Sequence, residues 1–414
     1  MNNRQTAPVL DLRVNLLRDP EQRVPGTPTV KAPFLVTIQQ SEGIGETPTM
    51  NASCMAVADR SSSMDQAGKW PAVQSALTDA LRTLSAGEFG IIAFNSQPTE
   101  LGSARAGDRR AVERLVKAVQ STAPCNGTNL DRAMAHALPW LRQRQGARSL
   151  LILSDGQTEN EPECRKLADE FAANEIVAHF LATDDVNLEL AKYITDRTNG
   201  RLEYLNRLTA QELSTFLAQQ LHDTQNVVAQ NVRVGIRCSG GVGLVAAARA
   251  YPDVIHFPPA NPFMAAIGNL IRGDALRLYA EVVAPMPDQD ARLHAADIDL
   301  LYDVPQLGRR DERVSAPLLM TCVAGASPQP SSDVLHFMHL VKAEEELARA
   351  AQEQDPARAI ELLQSAQRRT RLAGDTRKTQ VVDSLIQSVR TTRTITDGVR
   401  KTATTLGRRT KIVT

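Results

Sequence analysis

The chain has 414 residues, with 47 Lys and Arg against 47 Asp and Glu. That length suits two or three domains, and a balanced charge excludes bulk electrostatic attraction as the basis of a nucleic-acid or membrane partner. The five cysteines, Cys54, Cys125, Cys164, Cys238 and Cys322, are widely scattered and form no C-x-x-C pair. This argues against a disulfide framework or a zinc site and leads to the expectation of reduced thiols in a cytoplasmic protein. The opening MNNRQTAPVLDLRV has no apolar signal region. No stretch reaches the ~18 apolar residues of a spanning helix, so no membrane partner is expected.

Taken in chain order, residues 1–48 hold two extended segments, VLDLRVNLL and APFLVTIQQ, around a turn-rich RDPEQRVPGTP. Residues 49–223 then alternate short apolar runs with amphipathic helices. In the first helix Trp70, Val73, Leu77, Leu81 and Leu84 recur at spacings of three and four, the mark of one buried face. Thr209 and Glu212 stand in capping-box register at the start of the last helix. Strands alternating with helices predict a doubly wound, mainly parallel α/β sheet covered on both faces. Ligands on such sheets bind beyond the carboxyl ends of the strands.

Residues 224–325 lose helical periodicity. NVRVGIRC and ALRLYAEVV alternate as antiparallel strands with one wet face should, and several short strands suggest a β-sandwich. The strands of 1–48 have no place in the α/β sheet and are assigned to this sandwich, which makes the α/β domain an insertion. A linker, ASPQPSSD, leads to helices over 333–391, with Asp355-Pro356 as a stop and restart. Residues 392–414 are basic and Thr-rich and lack apolar periodicity, so they are expected to be unfolded alone. Thr394, Thr396, Thr404, Thr405 and Thr410, set among Arg and Lys, are candidate phosphorylation sites for a regulatory kinase.

The chemistry concentrates in MAVADRSSSM, residues 55–64. A strand ends in Asp59, and Ser61 and Ser63 follow at alternate positions. One carboxylate and two hydroxyls are hard oxygen donors, suited to Mg²⁺, Mn²⁺ or Ca²⁺ and not to Zn²⁺. Three residues do not complete an octahedral shell. Two further candidates stand at helix or strand ends: Thr128, after Gly127 and before a helix, and Asp155 at the end of SLLILS.

Asp59-Arg60-Ser61-Ser62-Ser63, then Gly127-Thr128-Asn129-Leu130, then Ser154-Asp155-Gly156 resembles, in order and spacing, the metal-ion-dependent adhesion site (MIDAS) of the von Willebrand factor A (vWA) domain. GEFGIIAFNSQ is similar to that family's second strand. The resemblance spans about residues 50–222. It implies a Rossmann-like sheet with one short antiparallel edge strand, for which PTELGS is the candidate. It also implies direct ligation of the metal by Ser61, Ser63 and Thr128, and water-mediated ligation by Asp59 and Asp155. The remaining coordination place would then take an Asp or Glu of a protein partner. Arg60, Ser62, Asn129 and Gly156 are the expected partner-contact positions. The layout is similar, more loosely, to larger bacterial vWA proteins and to inter-alpha-trypsin-inhibitor-like chains with flanking strands.

Ordinary readings compete at several positions. D-x-S-x-S by itself also suits an N-cap and turn; Asp65 suits a helix N-terminus. SGGVGL, residues 239–244, lacks the strand-then-helix setting of a nucleotide loop, and His336 and His339 have no third ligand at suitable spacing. No G-x-S-x-G, H-E-x-x-H or P-loop motif occurs. The function expected is a non-catalytic, Mg²⁺-dependent protein-binding adaptor with its ligands on loop-built, exposed hydroxyls. The alternatives are a metal-dependent phosphoester hydrolase using the same ion, or a nucleic-acid-associated factor acting through the basic C-terminal segment.

Overall fold

The computed structural model describes residues 7–24, 26–42, 50–154, 158–183, 186–205 and 209–410. Three strands come first: β1 (Leu10–Leu16), β2 (Glu21–Arg23) and β3 (Thr29–Gln40). An alternating stretch follows, comprising β4 (Ala52–Asp59), α1 (Lys69–Arg82), β5 (Glu88–Phe94), β6 (Pro98–Arg105), α2 (Arg109–Ser121), α3 (Leu130–Arg142), β7 (Ala147–Ser154), α4 (Glu161–Ala173), β8 (Val177–Thr183), α5 (Leu188–Thr198), β9 (Leu202–Leu205) and α6 (Ala210–Gln225). Then come seven strands, β10 (Val227–Cys238), β11 (Gly243–Tyr251), β12 (Ile255–Phe257), β13 (Phe263–Ile271), β14 (Ala275–Pro285), β15 (Ala291–Val304) and β16 (Arg309–Ala324). Four helices close the chain: α7 (Ser332–Gln352), α8 (Pro356–Leu372), α9 (Thr376–Thr392) and α10 (Asp397–Arg408). The chain divides into two compact units. One is Glu46–Gln230 with Val304–Arg309; the other is Met1–Gly45, Asn231–Asp303 and Arg310–Thr414.

The first unit is built on a six-stranded sheet in the order β6-β5-β4-β7-β8-β9. All its pairings are parallel except β5 with β6, so PTELGS lies in an antiparallel edge strand. Every residue of β4 is buried, as expected for a central strand covered on both faces. Residues of α1, α2 and α6 pack on one face and residues of α3, α4 and α5 on the other. The spacing seen in the sequence explains α1: Trp70, Val73, Leu77 and Leu81 are all buried. Thr209 caps α6 by accepting from the Glu212 amide. Gly200 follows the left-handed Asn199 and ends α5 where the chain meets β8; a Cβ there would stand 1.8 Å from the Ala178 carbonyl oxygen. The strand order reverses direction at β4, with β5 and β7 on its two sides, which leaves a crevice beyond its carboxyl end.

The second unit holds two five-stranded sheets, β1-β3-β14-β11-β12 and β13-β10-β15-β16-β2. β3 sits between β1 and β14, antiparallel to both, over eleven residue pairs with β14. The EQR segment, expected to be loop, adds a three-residue parallel edge to β16 at Cys322–Ala324. FMAAIGNLI, not singled out as a strand in the sequence, forms β13. Helix α7 lays Val334, Phe337, Leu340 and Val341 against Leu35, Ala248 and Tyr279 of the first sheet. Beside that apolar contact the buried Glu281 carboxylate accepts from the Tyr279 hydroxyl at 2.5 Å and pairs with Lys31 and Lys342. His336 and His339 serve packing here: the former is hydrogen-bonded to the Ala373 carbonyl at 2.9 Å, the latter is buried.

The last helix corrects the sequence reading. Residues 397–408, expected to be unfolded, form α10, capped by the Thr396 hydroxyl accepting from Val399 N. Its stripe of Val399, Ala403 and Gly407 is buried, and the site of a Gly407 Cβ lies 3.1 Å from Glu344 Cγ and 3.4 Å from Glu344 Cα, so the glycine lets α10 pack closely on α7. The fully buried Lys378 of α9 donates its ammonium to the Gly407 carbonyl at 3.2 Å. Val254 N reaches the Arg408 carbonyl at 2.7 Å, and the Thr410 hydroxyl reaches the Pro252 carbonyl at 2.6 Å. Burial pushes the Lys378 ammonium down to about 8, against the opposing pull of Asp375, Glu344 and Asp253.

Candidate functional site

Asp59 is the final residue of β4, paired with Phe94 at the end of β5. Its side chain is fully buried, and an ionised carboxylate in that position needs donors on both oxygens. Oδ1 accepts from the Ser61 amide at 2.8 Å, and Oδ2 accepts from the Ser154 hydroxyl at 2.8 Å. Ser154 ends β7, one position past the Ala58–Leu153 pair, so two adjacent strand ends deliver these groups to one place. The chain then turns into a 3₁₀ segment, Ser62–Gly68, started by Met64 N on the Ser61 carbonyl. That turn brings the Ser61 and Ser63 hydroxyls within 2.9 Å of each other. The expectation of exposed hydroxyls is corrected for Ser61, which is only 2% exposed; Ser63 is half-buried and Ser62 exposed. The reason is the 3₁₀ turn, which folds Ser61 back over the strand end.

The loop between α2 and α3 carries the next candidate. Thr128 is half-buried, one residue before Asn129, the N-cap position of α3. This loop is fastened to the Asp59–Ser63 segment by Cys125 N on the Arg60 carbonyl at 2.8 Å. It is also fastened to the β5–β6 turn, where Asn129 N donates to the Asn95 carbonyl at 2.8 Å. Gly127 is required for this fit: its φ is +93°, and a Cβ would stand 1.8 Å from the Ser96 hydroxyl oxygen. Arg60 turns its guanidinium to this loop and turn, donating to the Ala123 carbonyl at 3.2 Å and to Asn95 Oδ1 and Thr99 Oγ1 at 3.4 Å each. Asn129 does not cap its helix; its amide donates to the Ser96 carbonyl at 3.2 Å, and its buried Oδ1 has no hydrogen-bond partner among the described residues.

Asp59, Ser61 and Ser63 thus converge at one strand edge, with the Thr128 loop tied to the same segment. Asp155 and Gly156 lie outside the described residues. The five C-terminal threonines belong to the other unit: Thr394 and Thr396 are exposed, while Thr404, Thr405 and Thr410 are half-buried. Two residues were not assigned in the sequence reading. Ser154 was within the matched motif but given no role, although its place at the end of the strand beside β4 was a usable signal. Asn95 follows directly from the end of the other neighbouring strand, and the same reasoning would have found it.

The donor set is made of one carboxylate and several neutral hydroxyls, and it fits a hard divalent cation. The orphaned Asn129 Oδ1 adds one more oxygen beside Thr128 in sequence. Among the described residues no three His, Cys, Asp or Glu side chains converge into a metal cluster, so the fit rests on hydroxyl chemistry. No helix among them is long and apolar enough to cross a membrane. The five cysteines are unpaired, and burial pushes the Cys54 thiol up to about 12.

Residues 54–157 match the family model of the von Willebrand factor type A domain, so the chain carries a vWA domain. No curated protein matches the chain in sequence. Among solved structures the chain is similar to a von Willebrand factor type A protein from Catenulispora acidiphila. That match has TM-score 0.76 and 14% identity, covering 100% of this chain and 99% of the other. It is also similar to the ArnB paralog VWA2 from Sulfolobus acidocaldarius, with TM-score 0.60 and 12% identity over 97% and 98% of the two chains. The human COPII-coat protein Sec24c shares the fold at TM-score 0.50 and 13% identity, over 88% of this chain and 58% of that one. At these identities the likeness is one of fold.

Proposed function

We propose that this chain is a non-catalytic, cytoplasmic adaptor that captures a protein partner through a divalent cation, Mg²⁺ or a similar hard ion, held at the carboxyl edge of its α/β sheet. The observation that carries the reading is the convergence of Asp59, Ser61 and Ser63 at one strand end, with the Asp59 carboxylate oriented by Ser154 and the Ser61 amide. Domains of this family commonly mediate protein interactions. Thr128 and Asp155 would complete the protein's share of the shell. Because most of these donors are neutral, the ion keeps positive charge and attracts an anionic oxygen from outside. That oxygen would come from an Asp or Glu of the partner. Ser62 is exposed beside the site, and with Arg60 and Gly156 it would form the rim that the partner touches; Asn129, expected among these contacts, is only 7% exposed and turns to Asn95 and Ser96 instead.

The test is a capture experiment in the native host, with the parent chain and Ser61→Ala/Ser63→Ala as baits, in Mg²⁺ and in EDTA. Partners retained by the parent only in Mg²⁺, and absent from the double variant, are the expected result. Identical partners in EDTA would overturn the reading. The variant's melting in EDTA is measured first, because Ser61 is buried and its loss has a structural cost of about 1 kcal/mol; a cooperative transition lowered by no more than that shows that the fold survives.

A further inference from the structure

We infer that Asn95 is the positioning residue of this site: it sets the loop bearing Thr128 against the Asp59–Ser63 segment before any metal arrives. The inference rests on the metal reading above. Asn95 is nine-tenths buried directly after β5, the strand whose last residue pairs with Asp59. Besides its main-chain N, which donates to the Gln97 carbonyl at 3.4 Å, three of its groups reach different parts of the site's surroundings. Its main-chain carbonyl accepts from Asn129 N at 2.8 Å. Its side-chain amide donates to the Asn126 carbonyl at 3.1 Å. Its Oδ1 accepts from the Arg60 guanidinium at 3.4 Å and from Gln97 N at 3.3 Å. One side chain therefore grips the loop on the N-terminal side of Thr128 and the residue next to Asp59, while its carbonyl holds the residue following Thr128.

The neighbouring groups act in the same sense. The Ser96 hydroxyl donates to the Asn126 carbonyl at 3.3 Å, and its carbonyl receives the amide of Asn129. Gly127, with no Cβ, lets the loop close to the Ser96 hydroxyl. An aspartate at this position could copy the acceptor role of Asn95 but not its donor role. Aspartate would preserve the Oδ1 contacts but would place an oxygen against the Asn126 carbonyl. Partners that orient metal ligands in this way typically contribute about 10- to 100-fold to metal affinity.

The test uses the full chain and two readouts. The first needs no metal: amide hydrogen exchange across residues 122–129 in EDTA. Asn95→Ala and Asn95→Asp should each speed exchange there by about tenfold or more, with α4 and α5 unchanged. The second is the Mg²⁺ concentration at half-maximal thermal shift, which should rise about 10- to 100-fold in both variants. Ser96→Ala, at an exposed hydroxyl, is the variant certain to test the same grip if either Asn95 variant misfolds; it should raise the midpoint a few-fold. Parental exchange and a parental Mg²⁺ midpoint in these variants would overturn the inference and leave the metal reading intact. A parent that responds to neither Mg²⁺ nor Mn²⁺ would remove both.

Discussion

The buried Lys378 gives this protein an alkaline stability signature of calculable size. Its ammonium lies with almost no exposure beneath α10 and is held at about 8, against an unfolded value of 10.5. Below pH 8 both the folded and the unfolded chain carry the proton, so stability is insensitive to this group. Between pH 8 and 10.5 the unfolded chain still binds the proton and the folded chain does not. Stability therefore rises with pH across that window. A difference of 2.5 units corresponds to about 3 kcal/mol, largely complete by pH 10.5. Lys378→Met removes the titration while filling similar volume. The parent should gain about 3 kcal/mol relative to Lys378→Met between pH 7.5 and 10.5, with every other titrating group cancelling in the difference. Calorimetry is the right assay, because Trp70 and Trp140 both lie in the other unit and would not report this one. A parent-minus-variant difference that is flat with pH, or falls, would refute the assignment of a buried, depressed ammonium.

Two shorter predictions concern the backbone and the C-terminal helix. Gly200→Ala should cost roughly 2–3 kcal/mol, since the added Cβ meets the Ala178 carbonyl oxygen, and tryptophan fluorescence unfolding of that unit will read it. Thr396→Asp should leave α10 intact or firmer, because an acid at the N-cap complements the helix dipole, whereas Thr405→Asp places one in the last turn and should loosen it. Limited proteolysis between residues 393 and 410 checks both signs, and equal effects from the two would contradict the capped, docked helix.

Much of the first unit was legible because its physics is local. Period 3.6 in Trp70, Val73, Leu77 and Leu81, unbroken apolar strands, and the Thr209 cap each speak for themselves within a few residues. The candidate site was legible for a different reason. Hard oxygen donors at alternate positions after a buried strand suit an ordinary cap or turn when taken alone, and it is three such segments in order that narrow the choice. The helix α10 was not legible. It contains two glycines and three threonines, residues that disfavour an isolated helix, and its buried stripe is small side chains. What holds it is tertiary: the close approach at Gly407, the Lys378 ammonium and backbone contacts to residues 252–254. The β13 strand escaped notice because FMAAIGNLI is apolar throughout and its period could not separate strand from buried helix.

The same distinction explains why Asn95 was invisible in a motif that was otherwise plain. A metal ligand announces itself by chemical type, since few side chains offer the right donor. A positioning residue announces itself only by geometry, because its partners here are the backbone atoms of Asn126 and Asn129 together with the side chain of Arg60. Backbone partners carry no residue signature. What could have marked it is topology: in an open parallel sheet the binding crevice lies beyond the carboxyl ends of the strands at the switch point, so residues at the ends of both neighbours of β4 stand beside it. Ser154 supplies that frame from β7 and Asn95 supplies it from β5. The frame is therefore built from both neighbours of β4. In the proposed cation site, loops held by both frames would stand ready before an ion binds, so binding would not also meet the entropy of ordering them.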